Sequence, residues 1–199
     1  MKAIVIRNRV RTFVFQLLSA AAFAASAGTA SAQTNEPRTV ADFLRAVPER
    51  YTVGYDRRMR EELLRGERRG VVVDIANGYI SYDESDNPSG FELALFRRSD
   101  GSYLVAYSTG AFHDLRMGQE LGNWPTLVLL SYEGRGRWRD VTRATLPVAF
   151  NRRLAYKLPR RGRRIEAWDE RGCLRHTLTW TNDRFRYRGP GRRPPRCRA

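Results

Sequence analysis

The chain has 199 residues, with 36 Lys or Arg against 21 Asp or Glu, for a formal net charge of +15. That length suits one domain, and a content of 42% hydrophobic and 11% aromatic residues excludes wholesale disorder. Two cysteines and two histidines exclude a disulfide-dense scaffold and a self-contained four-cysteine zinc site.

At the N-terminus, Lys2, Arg7, Arg9 and Arg11 stand without an acid among them. Thr12 to Ala27 follows with no charge, and Ala30-Ser31-Ala32 has the small-x-small form of a cleavage site. Together they predict a secretory signal peptide over residues 1–32, cut after Ala32. A membrane anchor is the competing reading, and 16 uncharged residues fall short of the ~18 apolar residues that a span requires. The expected address is therefore periplasmic or secreted, with no transmembrane span left after cleavage. The rest divides into a single domain over 33–189 and a basic, Pro-rich tail over 190–199.

Without the first 32 residues, 32 basic residues face 21 acids. The excess is local. Residues 33–151 hold 16 Arg against 17 acids, whereas 152–199 hold 16 Lys or Arg against four acids.

Thr39 followed by Asp42 has the form of a capping box. Val40, Phe43, Leu44 and Val47 then make one apolar stripe at helical spacing, which Pro48 ends. Asp56 caps a second predicted helix, with Met59 and Leu63 inward and Gly66 as its stop. Past Gly70 the period changes to two. Val71–Ala76 and Tyr79–Tyr82 flank Asn77-Gly78, a strong two-residue hairpin signal. Phe91–Arg97 and Ser102–Ser108 flank Ser99-Asp100-Gly101, and Thr126–Tyr132 and Arg137–Val141 flank Glu133–Gly136. Ile165–Asp169 and Cys173–Trp180 flank Glu170-Arg171-Gly172, and Phe185–Arg188 closes the series. Short turns without crossover helices predict sequential antiparallel pairing. The residues from Thr126 to Leu130 are apolar on both faces, which predicts a central strand. The fold class that follows is α+β, with short N-terminal helices packed on an antiparallel meander. A meander closed into a barrel is the alternative, since closure removes edges.

No phosphate-binding loop, GxSxG, HExxH, CxxC or dinucleotide fingerprint is present, and nothing calls for a cofactor or a metal. Cys173 and His176 lie three apart on a strand, so they face opposite ways and make a poor metal pair. That alternation sends His176 inward with Leu178 and Trp180, as a satisfied core histidine, and Cys173 outward. In an oxidising compartment Cys173 and Cys197, the only cysteines, are expected to pair. Such a bridge would close a loop of ~25 residues and stabilise by ~3 kcal/mol. Free or intermolecular thiols are the alternative.

The strongest feature is basic. Arg160, Arg161, Arg163 and Arg164 form a turn. Arg184, Arg186 and Arg188 share one face of the last strand, and Arg175 is expected outward on its neighbour, so the two strands can share one surface. Arg192 and Arg193 continue it into the tail. Guanidinium forks suit phosphate and carboxylate. In an envelope the expected partner is an anionic polymer, a lipid headgroup or an acidic protein, and nucleic acid is disfavoured. A merely solvated charged face is the plain alternative.

One long connection, Gly110 to Pro125, gathers His113, Asp114 and Glu120, which could form an acid/base pair. A plain connector is the alternative. Asp83 to Asn87 offers alternating oxygens but lacks the distal glutamate that a calcium loop uses. The run Asp100–Leu104, the run Gly136–Thr142 and the leader-helix-meander layout resemble exported bacterial proteins of unknown function. No activity comes with that resemblance. The sequence thus predicts a non-enzymatic binding protein acting through its C-terminal arginines; a small hydrolase or ligand-binding barrel centred on 110–125 is the second reading.

Overall fold

The computed structural model describes residues 36–52, 54–83, 90–109, 127–169 and 171–189. Helix α1 (Val40–Ala46) begins where the capping box predicts. The Asp42 backbone donates to Thr39 Oγ1 at 3.2 Å, and Asp42 Oδ2 accepts from the Thr39 backbone at 2.9 Å. Burial pushes the Asp42 carboxyl upward, but hydrogen bonds from Thr39 and Arg38 hold it below its ordinary range. A 3-10 turn (Glu49–Tyr51) leads to α2 (Arg57–Leu64), where Asp56 Oδ1 accepts from the Met59 backbone at 2.8 Å. Gly66 takes φ +71, the left-handed stop that glycine provides without strain.

The strands β1 (Val71–Asp74), β2 (Tyr79–Asp83), β3 (Gly90–Arg97), β4 (Tyr103–Ser108), β5 (Leu127–Tyr132) and β6 (Trp138–Asp140) form one sheet in sequential antiparallel order. A short helix α3 (Thr142–Thr145) follows, and then β7 (Ala155–Lys157), β8 (Arg164–Trp168), β9 (Leu174–Thr181) and β10 (Arg184–Arg188) form a second sheet ordered β10-β9-β8-β7. The protein is α+β as expected. The meander divides into two sheets, however, and does not close into a barrel.

The six-stranded sheet is the middle of three layers. Ile80, Phe91, Leu93, Val105, Tyr107, Val128 and Leu130 face the helices and bury Val40, Phe43, Leu44 and Leu63. Ala94, Phe96, Leu104, Ala106, Leu127 and Leu129 face the second sheet, against Tyr156, Ile165, Leu178, Trp180 and Phe185. Each buried side chain of this size contributes about 1.5–3 kcal/mol of gross hydrophobic stabilisation. β5 corrects an expectation. It is apolar on both faces because layers cover both, yet it lies fifth of six in the sheet.

Two further corrections are local. Asp74 pairs directly with Tyr79, so the first hairpin turns through four residues, 75–78, where the sequence predicted two. The Asp74 carboxylate accepts from the Asn77 backbone and Nδ2 at 3.2 and 3.0 Å, stabilising the wider turn. In the second sheet, Ala167 opposes His176 but Trp168 opposes Leu174, so β9 carries one extra residue, Arg175. That bulge resets the alternation. Cys173, expected outward, is only 7% exposed, and Leu174 beside it is half-buried.

Polar ties join the sheets. Glu92, 2% exposed between them, accepts from the Tyr79 hydroxyl at 2.8 Å and the Leu158 backbone at 2.6 Å. Burial raises its pKa above the ordinary 4.5. Trp180 Nε1 donates to Arg97 O at 3.1 Å, and Asp183 accepts from the Ser99 backbone at 2.8 Å and from its hydroxyl.

Candidate functional site

β10 alternates strictly. Phe185 enters the core and Tyr187 follows on the same side, so Arg184, Arg186 and Arg188 point away from the first sheet and are exposed. The Asn182-Asp183 turn behind them takes φ +50 and +60, the paired left-handed geometry of a two-residue hairpin. Asp183 is itself held by Ser99 of the other sheet, which anchors the hairpin tip.

Register decides what shares this face. Arg186 opposes Thr179, which opposes Arg164 on β8. Arg188 opposes Thr177, which opposes Glu166 and, beyond it, Lys157. Arg184 opposes Thr181. Directly opposed residues in antiparallel strands share a face. The outer face therefore carries five cations (Lys157, Arg164, Arg184, Arg186, Arg188) and one carboxylate (Glu166) around the more buried Thr177 and Thr179, with half-buried Trp168 two residues beyond Glu166 on the same side of β8. Among the described residues none of these four arginines forms an ion pair.

The other basic residues are spread out. Arg160 pairs with Asp74 at 2.9 Å and braces the end of β1. Arg175 does not join the arginine surface, because the bulge turns it to Asp169, with Nη2 at 2.5 Å. Burial raises Asp169, while hydrogen bonds from the Cys173 backbone and Arg175 hold it below its usual range. Arg161 and Arg163 are exposed in the turn before β8. Arg192, Arg193 and Cys197 lie outside the described residues, as do His113, Asp114 and Glu120. The Cys173–Cys197 pairing and the acid/base pair in the 110–125 connection therefore remain expectations. Glu84 to Asn87 also lie outside.

His176 sits on the core side, its ring 5.5 Å from that of Tyr187 in an edge-on contact. Its buried Nδ1 has no hydrogen-bond partner among the described residues, where a satisfied core histidine was expected. Burial lowers its pKa, and Arg175 adds to this. It lies on the wrong face to join the arginines.

Sequence reasoning missed one functional-looking residue, Arg60, which is 3% exposed. It donates from Nε to Tyr55 O at 2.9 Å and from Nη1 to Leu44 O and Val47 O at 3.0 and 2.5 Å. Its spacing of three from Leu63, on the buried side of α2, was the available signal. Arg60 is a structural clamp between α1 and α2.

A cleft of about 600 Å³ opens where Arg38 and Phe43 meet Tyr103 and Tyr132. Its lining includes two carboxylates, Glu36 and Glu133, and among the described residues no histidine or cysteine. Among the described residues no cluster of three metal-ligating side chains occurs, and no helix is long and apolar enough to cross a membrane. The chain thus presents an α+β fold of three layers with an arginine-lined outer face. Comparison with protein-family models, curated proteins and solved structures finds no match.

Proposed function

We propose that the chain is an exported, non-enzymatic binding protein whose arginine face engages an anionic component of the cell envelope. The observation that carries this reading is the set of Arg164, Arg184, Arg186 and Arg188, which share one exposed face and have no carboxylate partner among the described residues. Guanidinium groups left without protein partners are available for bidentate contact with phosphate or carboxylate. A charged face that served only solubility would not need one sign confined to one side of one sheet. Export rests on the charged, apolar and small-residue pattern of residues 1–32.

The test is retention of the chain, begun at Gln33, on immobilised envelope extract across a salt series, beside the variant R184Q/R186Q/R188Q. Retention through arginines falls steeply as salt rises and is lost in the triple variant. Equal retention of both proteins refutes the reading. Substitution is preferable to deletion from residue 184, which would remove Phe185 from the core and confound binding with folding.

A further inference from the structure

The shape of the charge narrows the partner. Resting on the arginine-face reading, we infer that the ligand is a linear polyol-phosphate polymer, its phosphates joined through three-carbon bridges and lying along β10.

Three arguments lead there. First, the unopposed charge is a line. Arg184, Arg186 and Arg188 follow one strand with no acid among them, whereas on β8 Arg164 is followed on the same face by Glu166. Arg175 and Arg160, which could have widened the patch, are bound to Asp169 and Asp74. A planar anionic membrane would reward a two-dimensional array, and a linear polymer rewards a rank. The one large apolar side chain on this face among the described residues, Trp168, is half-buried on β8 and is not raised to enter lipid. Among the described residues the exposed large apolar side chains are Val73, Ile75 and Tyr187, and Tyr187 points to the opposite side of β10.

Second, the pitch fits. Alternate residues on an antiparallel strand are about 6.8 Å apart. A phosphodiester with three carbons between its oxygens places six single bonds between successive phosphorus atoms, about 7 Å when extended, taking about 1.2 Å of advance per bond. Each guanidinium can then take its own phosphate. A directly linked polyphosphate repeats at less than half that distance and would leave charges unmatched.

Third, the rank has no stacking platform beside it. Beside the arginines of β10 stand only threonines; the one aromatic on this face among the described residues, Trp168, is half-buried on β8, two strands from the rank, while His176 and Tyr187 lie on the other side. Single-stranded nucleic acid gains much of its affinity from bases stacked on aromatic rings. A nucleobase has no ring to stack on along β10 itself.

The experiment is a binding titration of the full exported chain against four probes at matched phosphate number. These are an oligo(glycerol phosphate), inorganic polyphosphate, phosphatidylglycerol vesicles and a single-stranded oligodeoxynucleotide. The glycerol phosphate chain is expected to bind tightest. Three neutralised phosphates, each contributing about 0.7 to the logarithmic salt slope, make binding about 20-fold weaker for a fourfold rise in salt. The variant R184Q/R186Q/R188Q loses that dependence. The variant R184K/R186K/R188K keeps the slope but binds several-fold more weakly, because the forks are gone. Circular dichroism confirms that both variants fold. Tightest binding to polyphosphate shows that charge density alone decides, and tightest binding to vesicles or to the oligonucleotide shows a planar or base-reading partner. Any of these overturns the polyol-phosphate inference while leaving the anionic reading in place. Binding to none of the four, or binding unaffected by the triple Gln variant, overturns both.

Discussion

Replacing Arg60 by methionine tests whether the helical layer is held by one buried cation. Methionine keeps most of the volume and the unbranched stem, so the packing of α2 against the sheet is retained while the guanidinium is lost. Three backbone carbonyls, Leu44 O, Val47 O and Tyr55 O, lose donors at 2.5–3.0 Å. Two of them lie at the C-terminal end of α1, where helix carbonyls lack intrahelical partners. A buried acceptor left unmet costs about 1–3 kcal/mol. Burial already lowers the Arg60 pKa, with Glu49 the largest opposing influence, so removing the charge recovers part of its desolvation cost. The expected net loss is about 3 kcal/mol, a large share of the roughly 5–15 kcal/mol typical of a domain. Urea unfolding followed by tryptophan fluorescence measures it. Arg60→Lys should recover only part, since one ammonium cannot reach three divergent carbonyls. Glu49→Gln should change little, because Glu49 is mostly exposed and stands 3.7 Å from the guanidinium. A loss below about 1 kcal/mol in Arg60→Met would refute the clamp.

Other outcomes follow from the same geometry. Burial raises the Glu92 pKa above 4.5, so the folded chain holds this proton more tightly than the unfolded chain, and its contribution is greatest at acid pH. It declines as pH rises from 4.5 through the higher folded value. Glu92→Gln mimics the protonated acid, so wild-type stability relative to the variant should fall across that interval; a constant difference in urea melts would contradict this. Gly70→Ala should cost about 3 kcal/mol, since a Cβ there would lie 2.1 Å from Asp83 O at φ +78. Thermal melts would show it, and Gly54→Ala, which meets no neighbour, isolates the backbone strain. Thr39→Ala should cost about 1 kcal/mol by removing the cap of α1, and equal melting of the two proteins would contradict the capping role.

Elements with local causes were legible. The Thr39–Asp42 box, the Asp56 cap and the glycine turns sit beside the residues they organise, and the helices and most hairpins follow from them. The division into two sheets was not legible, because no local signal says which neighbour a strand will take. After β6 the chain is redirected by Thr142, whose Oγ1 accepts from the Leu129 backbone at 2.8 Å, a tie between residues thirteen apart. β7 is three residues long, and its Tyr156 is buried only because the first sheet arrives above it. The arginine rank was legible on β10 because alternation there is undisturbed. Arg175 was misplaced because an extra residue in β9 inverts faces, and a bulge leaves no trace in a single sequence when flanked by ordinary strand residues. Arg160 was read as part of the surface because its partner, Asp74, lies 86 positions away.

β10 is also the rim of its sheet, with β9 on one side only. The outward backbone groups of such a strand are an open template for a second chain. Three guanidinium groups at alternate positions oppose this, since a second β10 would bring its own charges alongside. A polyanion that neutralises the rank removes the repulsion. Each chain has one such rim, so pairing through β10 is self-complementary and closes at two chains, and the charge of the rank is what stands against that dimer.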